Sequence, residues 1–581
     1  MIRSKCFFLP SLIFLIFLCH CANPVTPEGG PKDITPPKVL KSEPPVATIN
    51  FHNKDIRITF NEYIQLKDQN NQITIAPPLL PHTDIRLRGK SIVIDLKDTL
   101  KTNTTYSINF GNSISDLTEN NVLKDFIYTF STGTYIDSLT LSGRILSAFD
   151  LTPQKDVVAM LYINENDTLP LDSLPFHVKP YYIAKADEKG EFTFRNLRDV
   201  PLLLFALKDL NGDYIFNPPG EKVAFRDSLV KGIYIKPPSP ELLKKDSIVK
   251  HDTIRPKKDT AIRNKEMVPM NTLLMFEESD SVQKIVKADM VSPGQVGIIY
   301  RFPAVKPEFI PLNIPDNTGW MIPEFNAGKD SVFLWLRSVR KDSLVLRLSA
   351  KDKIIDTARI DLRKKNPKKS KGEKGAVVLP KLQISTNMPS SRLNQFTTDP
   401  LIISAYPLSG QDLSRIRLVD GKDTVKPKVV FADTIKRKLN VSYKWKEEHP
   451  YKLIVPDSIF HAINGQSNDS VLISFKTYSV RDFGSIEMDI TVDNPSGNYI
   501  VQLLSEKENV LEQKNITSSG KVKFEYLFPA KYKIKVIFDH NRNGHWDTGR
   551  YSTKLQPEKV QYFDKIIEVR ANWDITESWK F

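Results

Sequence analysis

Two stretches of this 581-residue chain each recur once, and this internal repeat constrains the fold more than any other feature of the sequence. Residues 106–132 align without a gap with residues 451–477 at an offset of 345, sharing Tyr, Ser-Ile, Phe and Thr. Residues 190–217 align with residues 520–547 at an offset of 330, sharing Gly, Phe, Leu, Asp and Asn. Self-similarity at a fixed offset indicates a duplicated structural unit. We therefore predict two domain types in the order A1, B1, a middle segment M, A2 and B2.

Short runs in which apolar and polar residues alternate extend along the chain, and they predict an all-β fold. No long run carries apolar residues at the three- and four-residue spacing of a helix, and 40 prolines suit extended segments and turns. In A1 we expect four strands, each with one buried face: Ile56, Ile58 and Phe60; Ile92, Ile94 and Leu96; Tyr106, Ile108 and Phe110; Phe126, Tyr128 and Phe130.

Changes in composition set the predicted domain boundaries. Pro/Gly-rich or charged stretches without periodicity separate the strand-rich segments, as linkers do. The predicted order is a signal peptide (1–20), a Pro/Gly-rich tether (21–37), A1 (38–134), B1 (135–236), a charged linker (237–269), M as a β domain of uncertain type (270–362), a Lys-rich linker (363–379), A2 (380–481) and B2 (482–581). The net charge is +14, and the Lys-rich run Arg363–Lys374 is interpreted as a linker first and as a contact to an anionic surface second.

The N-terminus predicts export and a lipid anchor. Arg3 and Lys5 precede an apolar run from Phe7 to Leu18, which is too short to span a bilayer but suits a signal peptide. The run ends in Leu-Cys-His-Cys, which resembles the lipobox of bacterial lipoproteins, although His20 stands where a small residue is usual. All three cysteines lie in the first 21 residues. We expect lipidation of Cys21, and the alternative is a plain secretory signal cleaved near this residue.

The strand motifs resemble known surface domains. A1 begins after Thr-Pro-Pro, contains DIRITFNEYI and closes with FIYTFSTG, and it resembles the bacterial Ig-like domains of the SbsA type. B1, with GEFTFRNL followed by LLLFALKD, resembles transthyretin-like and carboxypeptidase-regulatory-like β-sandwiches. The lipobox, the GGPKD tether and the following Ig-like domain resemble a group of Bacteroidota envelope lipoproteins. The resemblance implies a tandem array of Ig-like and transthyretin-like β-sandwiches in a noncatalytic outer-membrane lipoprotein, on the periplasmic face or the cell surface.

Two Asp/Asn-rich stretches in the B domains are candidate calcium loops. Oxygen-bearing side chains occupy positions one, three, five and nine of a calcium loop in both copies. They are Asp539, Asn541, Asn543 and Asp547 in B2 and Asp209, Asn211, Asp213 and Asn217 in B1. Position twelve, a glutamate in EF-hands, is Arg550 in B2 and Gly220 in B1, although Glu221 follows. Calcium is thus a candidate cofactor, and the alternative is a turn in which Asp and Asn bond their own backbone.

Asp followed by Ser or Thr and an aliphatic residue occurs sixteen times. Turn chemistry is one cause, because Asp and Ser bond their own backbone before an aliphatic residue opens a strand. The pattern also resembles the O-glycosylation site of Bacteroidota exported proteins. The candidate acceptors are Ser247, Thr253 and Thr260 in the charged linker.

The sequence favours a noncatalytic binding or spacing scaffold over an enzyme. It contains no Gly-x-Ser-x-Gly, His-Glu-x-x-His or phosphate-binding glycine loop, and no nucleic-acid-binding motif accompanies the positive charge. The expected partners are the membrane, through the lipid, and other envelope proteins or glycans. One alternative is carbohydrate or peptidoglycan binding on Trp320, Trp546 and Trp573, and another is an envelope hydrolase with a carboxylate pair between domains.

Overall fold

The computed structural model describes residues 33–581 except 80–82, 98, 125, 165–168, 219, 236–270, 279–282, 304–306, 315–318, 327, 338–340, 351–352, 364–379 and 389–390. The described residues form two compact units: A1 and B1 up to Met275 make the first, and residues from Phe276 onward, with Ala148–Leu151 and Pro218–Gly220, make the second. The predicted tandem β-sandwich class is confirmed, because the described residues fold mainly into strands of packed sheets and the helices described are single turns. They are α1 (Gln69–Gln72), α2 (Leu174–His177) and the 3-10 turns Leu171–Ser173, Leu413–Arg415, Val480–Asp482 and Tyr551–Thr553.

Domain A1 packs its sheets around one apolar core. Its strands are β1 (Val39–Glu43), β2 (Asp55–Phe60), β3 (Ile64–Leu66), β4 (Thr74–Ala76), β5 (Asp84–Arg88), β6 (Ser91–Asp95), β7 (Thr105–Asn109), β8 (Ile114–Asp116) and β9 (Ile127–Ser131). The sheets run β1-β2-β6-β5, β4-β7-β9 and β3-β8. Ile56, Ile58 and Phe60 are buried on one face of β2 and share the core with Tyr106 and Phe130, as the alternation predicts.

Domain B1 is one mixed sheet whose two halves enclose a common apolar core. Its strands are β10 (Leu139–Ser147), β11 (Val158–Tyr162), β12 (Tyr182–Lys185), β13 (Glu191–Leu197), β14 (Leu203–Lys208), β15 (Lys222–Phe225), β16 (Ile233–Tyr234) and β17 (Asn271–Glu277). The order is β12-β11-β14-β15-β17-β10-β13, and β16 pairs with β10. Strand β17, which the sequence placed at the start of M, runs parallel to β10 with Asn271 opposite Gly143. A Cβ at Gly143 would overlap the Asn271 carbonyl oxygen, so this close pairing needs glycine.

Domain M is a two-sheet sandwich. Its strands are β18 (Ile285–Ser292), β19 (Gln295–Tyr300), β20 (Glu308–Pro311), β21 (Met321–Phe325), β22 (Ser331–Leu336), β23 (Ser343–Ala350) and β24 (Lys353–Asp361). The sheets run β18-β19-β22-β21 and β20-β23-β24. Ile298, Leu334 and Leu346 are buried between them.

Domain A2 repeats the sheets of A1. Its strands are β25 (Ile384–Thr386), β26 (Arg392–Leu393), β27 (Leu401–Ser404), β28 (Leu408–Gln411), β29 (Arg417–Asp420), β30 (Asp423–Val425), β31 (Lys428–Phe431), β32 (Lys438–Ser442), β33 (Pro450–Val455), β34 (Phe460–Ala462) and β35 (Val471–Thr477). The sheets run β25-β27-β32-β31, β26-β35-β33-β29-β30 and β28-β34. The hydroxyl of Tyr106 accepts from the Lys101 backbone N–H at 2.8 Å, and that of Tyr451 accepts from the Lys446 N–H at 2.9 Å. Both contacts obey the offset of 345, which confirms the repeat.

Domain B2 repeats most pairings of B1. Its strands are β36 (Gly484–Thr491), β37 (Tyr499–Ser505), β38 (Val510–Ile516), β39 (Gly520–Leu527), β40 (Ala530–Phe538), β41 (Val560–Tyr562), β42 (Ile567–Val569) and β43 (Asp574–Lys580). The sheets run β39-β36-β43 and β38-β37-β40-β41, with β42 on β40. Strand β43 lies parallel to β36 as β17 lies parallel to β10. This agreement assigns β17 to B1 and places the charged stretch 237–269, which is outside the described residues, between β16 and β17.

The recurring Asp-Ser/Thr-aliphatic motif marks the beginnings of several strands. Ser331 and Ser343 are the first residues of β22 and β23, while Leu139 and Val471 are the first residues of β10 and β35. This placement fits the turn chemistry proposed for the motif.

Candidate functional site

The two Asp/Asn-rich stretches form equivalent loops at the ends of paired strands. Loop 1 (209–221) joins β14 to β15, and loop 2 (539–558) joins β40 to β41, each between antiparallel neighbours. Each stretch is therefore the loop of a β-hairpin.

In loop 1 the carboxylates accept hydrogen bonds from the backbone. Asp209 Oδ1 accepts from the N–H groups of Asn211 at 3.2 Å and Gly212 at 2.7 Å, and its Oδ2 accepts from Tyr214 N–H at 3.0 Å. Asp213 Oδ2 accepts from the side-chain amides of Asn211 at 3.0 Å and Asn217 at 3.1 Å. The four predicted residues of this loop therefore contact one another.

Loop 2 has a related arrangement, in which the second carboxylate lies at the ninth position instead of the fifth. Asp539 is 1% exposed, and its two carboxylate oxygens accept from the N–H groups of Asn543 at 3.1 Å and Gly544 at 2.9 Å. Asp547 Oδ2 accepts from the side-chain amides of Asn541 at 2.7 Å and Asn543 at 2.6 Å. The first Asp thus organises the turn, and the last one gathers the asparagines.

The backbone of the two loops is equivalent as well. Gly212 and Arg542, related by the offset of 330, have φ of 78° and 63°, while Tyr214 and Gly544 have φ of 61° and 79°. Each copy thus uses glycine at one left-handed position and a larger residue at the other.

A buried glutamate closes each loop, and only one of the pair was noticed in the sequence. Glu221 accepts from Leu210 N–H at 3.0 Å and Asn217 N–H at 2.8 Å, and Glu558 accepts from His540 N–H at 2.8 Å and from Asp547 N–H at 3.1 Å. The donors occupy equivalent positions in the two copies. Sequence spacing missed Glu558 because it lies eleven residues after Asp547, whereas Glu221 lies four after Asn217.

Burial raises the pKa of the Glu558 carboxyl, while the hydrogen bonds that it accepts from the backbone N–H groups of His540 and Asp547 lower this pKa. Among the described residues, no three His, Cys, Asp or Glu side chains are grouped so that they could hold a metal ion. Any calcium ion in loop 2 would need amide and backbone oxygens beside Asp539 and Asp547, in keeping with the six to eight oxygens that calcium prefers. Calcium binding stays a prediction.

Replacing Asp539 by alanine should lower the free energy of unfolding of B2 by about 2 kcal/mol without calcium, because two N–H groups lose a buried charged acceptor. Urea denaturation of B2 measures the change. Asp547→Ala is the matched control and should cost less, because its Oδ2 accepts from exposed asparagine side chains. Equal costs would contradict the role assigned to Asp539.

The calcium interpretation predicts a higher melting temperature for the isolated segment 482–581 in millimolar calcium than in chelator. The Asp539→Ala variant should lose this response. If calcium left the melting temperature of the wild type unchanged, or raised that of the variant as much as that of the wild type, the stretch would be a turn and not a calcium site.

The tryptophans proposed as a glycan-stacking surface lie in different settings. Trp573 is 54% exposed, whereas Trp320 is half-buried against the core of M. Trp546 is half-buried, and its Nε1–H donates to the Glu558 carbonyl oxygen at 2.9 Å. Cys21, Ser247, Thr253 and Thr260 lie outside the part of the chain that the structure describes.

Domain M meets A2 through a charged and aromatic joint that sequence reasoning missed. Trp335 on β22 is 2% exposed, and its Nε1–H donates to Glu324 Oε2 at 3.0 Å. Arg437 of A2 lies 3.0 Å from Glu324 Oε1 and 5.4 Å from the Trp335 ring centroid, and Tyr406 packs edge-on against this ring at 5.5 Å. The ion pair and the aromatic rings thus bury side chains of both domains at this joint.

Domain A2 meets B2 through stacked aromatic rings. Phe396 of A2 lies parallel to Tyr526 of B2 with 4.9 Å between ring centroids. Phe483 is 3% exposed and contacts the rings of Tyr478 at 5.4 Å and Phe528 at 4.9 Å. Such pairs add stability beyond the area that they bury.

The joint between A1 and B1 is formed by the equivalent positions of the B domain, but the residues there are polar. Asn196 and Arg198 are the counterparts of Tyr526 and Phe528 at the offset of 330. Asn196 accepts from the Ser107 hydroxyl at 3.2 Å, and Arg198 Nη2 donates to the Asn103 carbonyl oxygen at 2.9 Å. The repeat aligned these residues, but no sequence rule shows which positions face another domain.

Comparison with known proteins agrees with the fold. Residues 33–132 match the family model of the bacterial Ig-like domain. A search of curated proteins finds no match. The described chain contains no helix long and apolar enough to cross a membrane.

Several solved structures are similar at low identity. The Bacillus anthracis TIE protein is 11% identical, with a TM-score of 0.15, and 95% of this chain and 76% of that chain are covered. The major pilin subunit BcpA of Bacillus cereus is 8% identical, with a TM-score of 0.15 and coverage of 76% and 99%. The L,D-transpeptidase from Mycobacterium smegmatis is 12% identical, with a TM-score of 0.13 and coverage of 26% and 74%.

Proposed function

We propose that this protein is a noncatalytic scaffold of the bacterial cell envelope, anchored by a lipid on Cys21, that holds its β-sandwich domains at fixed spacing. The observation that carries the proposal is the set of joints within each unit. A flexible linker would leave neighbouring domains free to turn, whereas the Glu324–Arg437 pair and the Phe396–Tyr526 stack bury side chains between consecutive domains.

Fixed spacing is the property that separates a spacer from a string of independent binding modules. Domains joined by flexible linkers sample many distances, while domains joined through buried contacts keep one. Three consecutive domains of the second unit, M, A2 and B2, are connected by such contacts. A scaffold of this kind keeps M, A2 and B2, and whatever they bind, at defined distances from one another.

A distance measurement tests the proposal. Fluorescent or spin labels at Val286 in M and Leu511 in B2, both more than half exposed, should give one narrow distance distribution in the full chain. Breaking either joint, by Trp335→Ala or Phe483→Ala, should broaden it. A broad distance distribution in the wild-type chain would refute the spacer. Binding of the chain to particular glycans on a glycan array would favour the carbohydrate-binding alternative instead.

The lipid anchor has its own test. Cells expressing the chain and fed a fatty-acid analogue should label it, and Cys21→Ala should abolish the label because the acceptor thiol is lost. Equal labelling of the variant would exclude Cys21 as the anchor. Ser4→Ala, within the segment expected to be cleaved, is a control that should leave labelling unchanged.

A further inference from the structure

The outer face of the β18-β19-β22-β21 sheet of M carries apolar side chains beside the charged residues Lys287, Asp289 and Glu324, although the other face of this sheet already packs in the core. Along β22, Val332 and Leu334 point into the core, so Ser331, Phe333 and Trp335 lie on the outer face. An antiparallel sheet with one solvated face alternates between apolar and polar residues. The run of apolar residues from Val332 to Leu336 is instead typical of a strand that is buried on both faces.

The described residues cover only part of this outer face. Trp335 is buried beneath Tyr406 and Arg437 of A2. The adjoining residues are open to solvent: Phe333 is 41% exposed, and Ile299 is 45% exposed. The open area is therefore continuous with a surface that already accepts another β domain.

A hollow of about 450 Å³ lies in the open area. Gly297 forms part of its lining, and a Cβ there would lie 2.9 Å from Val291 Cγ2 and 3.4 Å from the Phe333 ring. Val291 is 59% exposed. An exposed apolar surface of this kind, with a hollow beside protruding side chains, is typical of an interaction site.

The charges around the hollow balance one another. Lys287 lies 3.5 Å from Asp289, and Lys438 of A2 lies 3.7 Å from Glu324. A rim of one sign would repel a copy of itself, whereas a rim with both signs lets each cation meet a carboxylate of the other copy. The rim is therefore compatible with two copies of the same surface.

We propose that this face, formed by Val291, Gly297, Ile299 and Phe333, is covered by the same face of a second copy of the chain. Two such sheets would pack face to face, about 10 Å apart, as the two sheets of a sandwich do. The contact is isologous, so it closes as a dimer. The proposal depends on neither the lipid anchor nor the spacing function.

Salt distinguishes this apolar contact from a charge-driven one. Each copy carries a net charge of +14, so two copies repel at long range, and salt screens this repulsion. The dimer should therefore strengthen as sodium chloride is raised. A contact held by charge would weaken instead.

Sedimentation of the full chain at micromolar concentrations tests the proposal. The wild type should form a dimer, and Phe333→Lys should weaken it by about thirtyfold or more, as expected for a central interface residue. Leu472→Lys, at a site 61% exposed on A2, is the matched control and should dimerise as the wild type does. Thermal melting checks that both variants fold.

Cross-linking locates the contact. In a full chain with Cys6, Cys19 and Cys21 replaced by serine, a flexible bis-maleimide should link Ile299→Cys into dimers and leave Leu472→Cys monomeric. A wild-type chain that stays monomeric overturns the proposal, as does a folded Phe333→Lys variant that dimerises normally. A monomer that binds a hydrophobic dye at Phe333 would assign the face to an apolar ligand and would also overturn it.

Discussion

Replacing Trp335 by alanine is expected to lower the free energy of unfolding of M and A2 by about 3 to 5 kcal/mol, the usual cost of truncating a buried aromatic residue. The loss has two parts. A cavity opens beside Tyr406, and Glu324 loses the indole N–H that donates to its Oε2 at 3.0 Å. Hydrogen-exchange mass spectrometry, which follows M and A2 separately, should show faster exchange on both sides of the joint.

Trp573→Ala serves as the control for this substitution. Trp573 is 54% exposed, so its removal should change stability by less than about 0.5 kcal/mol. If Trp335→Ala loosened M alone and left A2 as protected as in the wild type, the joint would not couple the two domains.

Replacing Phe483 by alanine is expected to cost about 3 to 4 kcal/mol and to uncouple A2 from B2. Its ring is 3% exposed and lies 4.9 Å from that of Phe528 and 6.1 Å from that of Tyr526. Truncation therefore removes the ring that packs against both of these rings and against Tyr478 of A2, so that the Phe396–Tyr526 stack remains as the main aromatic contact between the domains. Scanning calorimetry should show the transitions of A2 and B2 moving apart, because coupled domains unfold together and independent domains do not.

Leu511→Ala on β38 is the matched control in B2. Leu511 is 54% exposed, and its truncation should leave both transitions in place. A Phe483→Ala variant in which A2 and B2 still melt together would mean that the aromatic contacts are not what couples them.

The sequence predicted much of the fold because local periodicity reports burial directly. Ile56, Ile58 and Phe60 alternate along β2, and all three are buried. It also predicted that Asp209 and Asp539 stand at the start of equivalent loops, because the repeat places them at one offset. The role of Glu558 was not predicted, because the segment that separates it from Asp547 is longer than the equivalent segment between Asn217 and Glu221 in B1.

The sequence by itself determined the all-β class, the duplication and the buried face of each A1 strand, since these follow from patterns among residues close in the chain. Only the tertiary structure decided that β17 completes B1, because Asn271 pairs with Gly143 across more than a hundred residues. It also decided that Trp335 is covered by Arg437 while its neighbour Phe333 is exposed. Both aromatic residues lie on the same face of one strand, and what separates them is the domain packed above, which no local pattern encodes.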